Sequence, residues 1–225
     1  MLDFFFPTSG SDFAAGMNFA NWETSVQAEA TSQCLAAAGF HVTAPSPAAI
    51  AGGDNTEFPD LPYLLQHGFF VRGDPASPAS DPTRGMSEAE AAAYRSTDRR
   101  CRSSAYAGFE ALLQVAAPLE QQWMDIVTTI DNGPQFQQAL VGWRTCTRRS
   151  GVDVSTIEDF FAVADSTATH GGSAQESLHL ARIYAGCLGP AEAVRDQLRQ
   201  QARTTFFTSH PAVIAQLTSM VVVRS

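Results

Sequence analysis

Along most of the chain, apolar positions recur at i, i+3, i+4 and i+7, the spacing of one helix face, and no segment reads as a strand. Ile157, Phe160, Phe161 and Ala164 form one such stripe, and Leu180, Ala181, Tyr184 and Cys187 another. Each follows a start signal. Ser155-x-x-Glu158, Ser173-x-x-Glu176 and, upstream, Ser87-x-x-Glu90 have the form of a capping box, in which each side chain satisfies the other residue's free backbone N–H. Pro118 is placed to start a helix carrying Leu119, Trp123, Ile126, Val127 and Ile130. Pro134 starts another, carrying Phe136, Leu140, Trp143 and Cys146 until Gly151. Pro190 and Pro211 start the last two, with Val194 and Leu198, then Val213, Ile214, Leu217 and Met220, as their apolar faces.

The front of the chain carries a weaker pattern, and eight of the twelve prolines lie between Pro7 and Pro82. The spacing predicts one helix from Trp22 to Ala38, with Asn21 as N-cap and Gly39 as terminator. A short helix follows Asp60 and ends at Gly68, between aperiodic loops at 41–57 and 73–85. The expected fold is all-α: seven to eight helices in a disulfide-linked bundle. Its loop-rich N-terminal region spans 1–86 and its helical body 87–225, together one compact domain.

Of the 225 residues 44% are apolar, and mean hydropathy is −0.09. That balance excludes gross disorder and a multi-span membrane protein. No apolar run reaches the roughly 18–20 residues of a transmembrane segment, and Met1–Pro7 (MLDFFFP) lacks the basic start and long apolar core of a signal peptide. All 14 basic residues are Arg, against 23 acids, for a net charge of −9. A nucleic-acid groove or a clamp for anionic lipid is therefore not expected.

Cys34, Cys101, Cys146 and Cys187 are separated by 67, 45 and 41 residues, without the close pairs typical of a structural zinc site. Disulfides are the expectation and free buried thiols the alternative. An internal echo bears on pairing. Cys34-Leu-Ala-Ala-Ala-Gly39-Phe40 and Cys146-Thr-Arg-Arg-Ser-Gly151-Val152 share Cys-x4-Gly-apolar, each at the end of a Trp-containing helix and each followed later by one further Cys. The simplest reading is a weak duplication that pairs Cys34 with Cys101 and Cys146 with Cys187. The alternative is a pair of helix ends that merely share a Gly cap. Each bridge would stabilise by about 4 kcal/mol in the chain-entropy account.

These segments, with Leu61–Phe69, Ala92–Cys101, Trp143-Arg-Thr-Cys146 and Ala181-Arg-Ile-Tyr-Ala-Gly-Cys187, resemble uncharacterised secreted proteins and lipoproteins of high-GC actinobacteria. Members typically read Cys-Met-x-x-x-Gly-Phe where this chain has Cys34–Phe40, and Trp-x-x-Cys-Met where it has Trp143–Thr147. The resemblance implies a secreted or cell-envelope location, oxidised cysteines and a helical fold, and it carries no catalytic residue. The lipid-bearing N-terminal Cys of a lipoprotein is not in this text.

Few residues offer chemistry. His170-Gly-Gly-Ser173 is similar to the oxyanion loop of some esterases, but the chain has neither Gly-x-Ser-x-Gly nor the strands around it, and an inter-helix turn explains the same residues. His179 lies near Glu176, His41 stands in a loop, and His210 is placed to cap the last helix. Asp54, Glu57, Asp60 and His67 cluster without the spacing of a calcium loop, so neither metal nor cofactor is expected. Arg99, Arg100 and Arg102, like Arg148 and Arg149, read as solvated faces near helix C-termini, or as a site for an acidic partner. The phenylalanine run has three readings: a docked arm, a partner-binding segment or a junction. The expected function is non-catalytic: protein binding or self-association through apolar surface at Phe4, Phe5, Phe6, Phe69 and Phe70, with Leu64 beside them. The alternatives are an extracellular hydrolase centred on His170 and a small-ligand carrier.

Overall fold

A computed structural model describes residues 2–42, 56–69 and 82–222. Among them are eight α-helices and no β-strand: α1 (Gly10–Ala37), α2 (Leu61–His67), α3 (Glu88–Asp131), α4 (Pro134–Ala139), α5 (Trp143–Arg149), α6 (Ile157–Thr169), α7 (Ala174–Ser209) and α8 (Pro211–Val222). The all-α, disulfide-linked class is as expected, but several boundaries are not. The expected loops at 41–57 and 73–85 fall largely outside the described residues, as does Phe70.

α1 begins twelve residues before Trp22. Ser9 caps it by accepting from the Asp12 N–H, and Asp12 in turn accepts from the N–H of Thr8 at 3.1 Å. Gly10, Gly16, Asn18 and Asn21 hid this stretch, because glycine and asparagine are poor helix formers. Tertiary contact overrides that preference. The backbone of Phe4 lies so close to Gly16, and that of Asp60 so close to Gly10, that neither glycine has room for a Cβ.

Pro118 and Pro190 lie inside α3 and α7 rather than at helix starts. Both rings are exposed, so the i−4 carbonyl that each leaves without an N–H stays on the solvated side while Ala116, Leu119, Leu188 and Ala191 remain buried. The expected helix from Pro134 to Gly151 is instead two, because Gly142 sits at φ +95° and breaks it. The cap of α6 is Thr156 with Asp159, one residue beyond the Ser155–Glu158 pair read from sequence. The boxes at Ser87–Glu90 and Ser173–Glu176 form as expected.

Both disulfides pair as the echo predicts, Cys34–Cys101 and Cys146–Cys187, with Cα–Cα distances of 5.7 and 5.6 Å. The structure also explains the echo. Phe40 N–H bonds to Leu35 C=O and Gly39 N–H to Ala36 C=O, while Val152 and Gly151 repeat the pattern on Thr147 and Arg148. Both are Schellman motifs, with Gly39 at φ +87° and Gly151 at φ +90°. At the end of α6, Gly171 at φ +83° and the Gly172 N–H on Thr167 C=O repeat its main elements without a cysteine, so the Gly-apolar part of the echo is a generic helix stop.

Three apolar clusters result, and the largest two draw on both sides of residue 86. Leu64 and Phe69 join Trp143, Phe160, Phe161, Tyr184 and Leu188 around the first half of α7. Leu2, Phe5 and Phe6 join Leu112, Trp123, Phe206 and Leu217 among α3, α7 and α8. The third is small: Leu35, Tyr94 and Cys101, with Phe40, Val42 and Met86. It contains no residue of α4 to α8, and lies at the far end of the hairpin formed by α1 and the N-terminal half of α3.

Candidate functional site

The two large clusters meet at a seam of charge. On α7, Tyr184, Leu188, Glu192, Arg195 and Arg199 follow one another at intervals of three or four, so the face that is apolar at its start becomes ionic at mid-helix. Val194 and Leu198, the apolar face expected after Pro190, are half-buried, whereas Glu192, Arg195 and Arg199 are buried. Arg199 directs one terminal nitrogen to both carboxylate oxygens of Asp131 at 2.9 and 2.7 Å, and the other to the Glu57 carbonyl at 2.8 Å. Its guanidinium lies 4.4 Å from the Phe58 ring centre, and that of Arg195 lies 5.0 Å from Phe136. Arg195 is ion-paired with Glu192, whose other oxygen accepts the Tyr184 hydroxyl at 2.8 Å.

Electrostatics follow from burial. The Glu192 and Asp131 carboxyls are raised by desolvation, which the neighbouring arginines oppose, and Arg199 is lowered by the same desolvation. Asp196, beside the seam, is pushed up to about 6 by burial first and by the charge of Glu192 second. Two cations balance two carboxylates, and an aromatic ring flanks each arginine. This arrangement fixes the end of α3 against α7 and the segment before α2; Glu192, Arg195 and Arg199 are buried, and Asp131 is 24% exposed.

The expected site residues go to different places. Phe5, Phe6 and Phe69 are buried and Phe4 is half-buried, so these four do not form an exposed contact surface. The first three phenylalanines are a docked arm: Phe6 packs on Trp123, Phe206 and Phe207, Phe4 stacks on Phe19 at 4.5 Å, and the Trp123 indole N–H donates to Pro7 C=O. Burying one Phe contributes about 1.5–3 kcal/mol, which a strand-like tail could not recover. Leu64 is likewise in the core.

His170 is exposed, and its Nδ1 donates to the Ser166 carbonyl at 2.8 Å, in the last turn of α6. Ser173 Oγ accepts the Glu176 N–H at 3.2 Å and bonds the Glu176 carboxylate at 2.9 Å. Both polar groups of the His170–Ser173 loop thus serve helix ends. His210 does the same for α7: its Nδ1 faces Phe206 C=O at 3.0 Å, rather than capping α8 with its side chain. Asp60 caps α2 through the Tyr63 N–H, His67 stacks on Tyr63, and Asp54 lies outside the described residues. Among the described residues no three His, Cys, Asp or Glu side chains form a group able to hold a metal ion.

Two clefts open on the surface of the described residues. One of about 420 Å³ is lined by Ser173, Gln175, Glu176, His179 and Arg182. The other, of about 520 Å³, runs between α3 and α7 and is lined by Ile126, Phe206 and His210 among others. Both are open troughs, unlike the enclosed apolar cavity that ligand carriage calls for.

Arg148 and Arg149 stand in the last turn of α5, where the helix dipole favours them, and Arg148 pairs with Asp153 at 2.9 Å. Arg99, Arg100 and Arg102 differ from expectation: α3 continues for some thirty residues beyond them, so no helix terminus explains their charge. They lie exposed on the hairpin. Between its two fixed points, the Trp22–Phe109 ring contact at 6.2 Å and the Cys34–Cys101 bridge, Val26 and Tyr106 stand 38% and 49% exposed. Compared with protein families, with curated proteins and with solved structures, the chain matches none.

Proposed function

We propose that this is an exported, non-catalytic helical protein that binds another protein or a second copy of itself through the far half of the α1–α3 hairpin. The observation that carries this reading is the joint exposure of Val26, Tyr106 and the arginines at 95–102 on a disulfide-closed projection. Tyrosine and arginine give more energy per residue than other types when an interface desolvates them. Many of the chemistry-bearing residues elsewhere have internal partners: aromatic rings in the cores, His170, His210 and Ser173 at helix ends, and Glu192, Arg195 and Arg199 in the seam.

Export is supported by the two bridges, since such bonds persist in oxidising compartments and are rare in the cytosol. No helix among the described residues is long and apolar enough to cross a membrane.

The test places a photo-crosslinking amino acid at position 106, and as control at Val213, exposed on α8. The oxidised protein is irradiated alone and with cell-envelope extract. Adducts to one identified protein, or to itself, from 106 but not from 213 are expected. A monomer at high concentration, with no adduct from 106 in any extract, overturns the reading.

A further inference from the structure

The basic residues of α3 are confined to one stretch, which also holds Asp98 and is preceded by Glu88 and Glu90. All four of its basic residues lie at 95–102, whereas the helix from Glu110 to its end holds acids and no base. At 100° per residue, Glu88, Arg95, Arg99, Arg102, Tyr106, Glu110 and Glu120 fall within a strip about 80° wide on one side of the helix. The first six are exposed and Glu120 is half-buried. Tyr106 has three arginines on its N-terminal side, with Glu88 beyond them at the helix start, and carboxylates alone on the other.

Such a strip is complementary to itself in one orientation only. Side by side in parallel, two copies would set arginine against arginine. In antiparallel pairing, a two-fold axis near Tyr106 sets the basic end of each against the acidic stretch of the other, the self-matching patch that an isologous dimer needs. We propose that the protein forms an antiparallel homodimer through this face of α3, with Tyr106 near the two-fold axis and Arg99 and Arg102 of each copy facing Glu110 of the other. The proposal rests on the self-association branch of the reading above.

Two details fit a second copy as the occupant. Arg95 and Arg99 make no ion pair among the described residues, and Arg102 has only Asp98, at 2.7 Å. Glu120 makes none either, and it feels the like charge of Glu23 from α1. In the antiparallel arrangement Arg95 of the other copy comes within side-chain reach of Glu120, supplying the cation its own chain does not. A long apolar interface is not required, since charge complementarity steers and aligns the pair while Tyr106 and Val26 supply the dry centre.

Sedimentation equilibrium of the full oxidised chain distinguishes the outcomes. The expected species has twice the 24.1 kDa monomer mass. Its dissociation constant should rise at least about tenfold between about 50 and 500 mM salt, as screening shortens the reach of the ion pairs. Arg99→Glu/Arg102→Glu and Glu110→Arg, all at exposed positions, should each weaken the dimer by about tenfold or more, with unchanged far-UV circular dichroism. Mixed in equal amounts, the two variants should recover the parental affinity, because both contacts then pair opposite charges again. A monomer at low salt, a dimer that neither variant weakens, or a mixture no tighter than its components overturns the proposal. A monomer that nevertheless crosslinks from position 106 to a different protein overturns the dimer and leaves the broader reading standing; a monomer with no adduct overturns both.

Discussion

Asp196 is a residue whose ionisation opposes the fold. Its carboxyl titrates near 6 in the folded chain against 3.8 for an ordinary aspartate, because burial and the charge of Glu192 outweigh Arg195 and Arg199. The folded state therefore holds a proton that the unfolded chain has released, so this stabilisation is complete below about 4 and is lost as pH rises through about 6. Asp196→Asn should raise stability at pH 7.5 by about 1 kcal/mol, discounted for a site partly open to solvent, and change little at pH 4. Urea titrations at the two pH values check it, and an equal shift at both would contradict the account. Arg199 is the converse case, a fully buried cation bonded to Asp131. Arg199→Ala should cost about 3 kcal/mol by leaving the carboxylate with only the longer contact to Arg195, at 3.7 Å, and adding Asp131→Asn should recover part of that loss. Additive losses in the double variant would contradict the pairing. Neither residue is legible in the sequence, where the apolar face after Pro190 is marked by Val194 and Leu198; the packing of Phe58 and Phe136 on the arginines shows that Arg195 and Arg199 are interior.

At the scale of elements, capping boxes and glycine stops proved more dependable than prolines as start signals. Ser87 and Ser173 cap the helices they seemed to cap, because a capping box needs only four consecutive residues. The prolines at 118 and 190 misled because their cost is a single lost hydrogen bond and a local clash, which the burial of neighbouring turns outweighs. The box at α6 is offset by one residue, and this gives a discriminating test. Thr156→Ala should destabilise by about 1 kcal/mol, whereas Ser155→Ala should stay within about 0.5 kcal/mol, both by thermal unfolding. Reversal of that order would restore the cap read from sequence. α1 shows the opposite failure: Gly10 and Gly16 disfavour the helix locally yet are the residues that let Asp60 and Phe4 approach it.

On the scale of the whole molecule, the two bridges have unequal roles. Cys146–Cys187 joins α5 to α7 beside a broad apolar cluster, while Cys34–Cys101 closes a hairpin end whose own cluster is small. Cys34→Ser/Cys101→Ser should cost about 2–5 kcal/mol and, before global unfolding, should lower hydrogen-exchange protection around Leu35 and Tyr94 alone. Loss of protection spread evenly over α7 would contradict that division. The sequence by itself determined the helical class and most helix starts in the second half, because these follow from spacing and from caps formed by near neighbours, and it offered the cysteine pairing as the simplest of several open readings. Only tertiary structure decided that the phenylalanine arm is interior, that Glu192, Arg195 and Arg199 of α7 turn inward, and that the arginines of α3 stand on an open hairpin. Those outcomes depend on which distant segments meet, such as Pro7 on Trp123 or Asp131 on Arg199, and the order of residues along the chain does not encode such meetings locally.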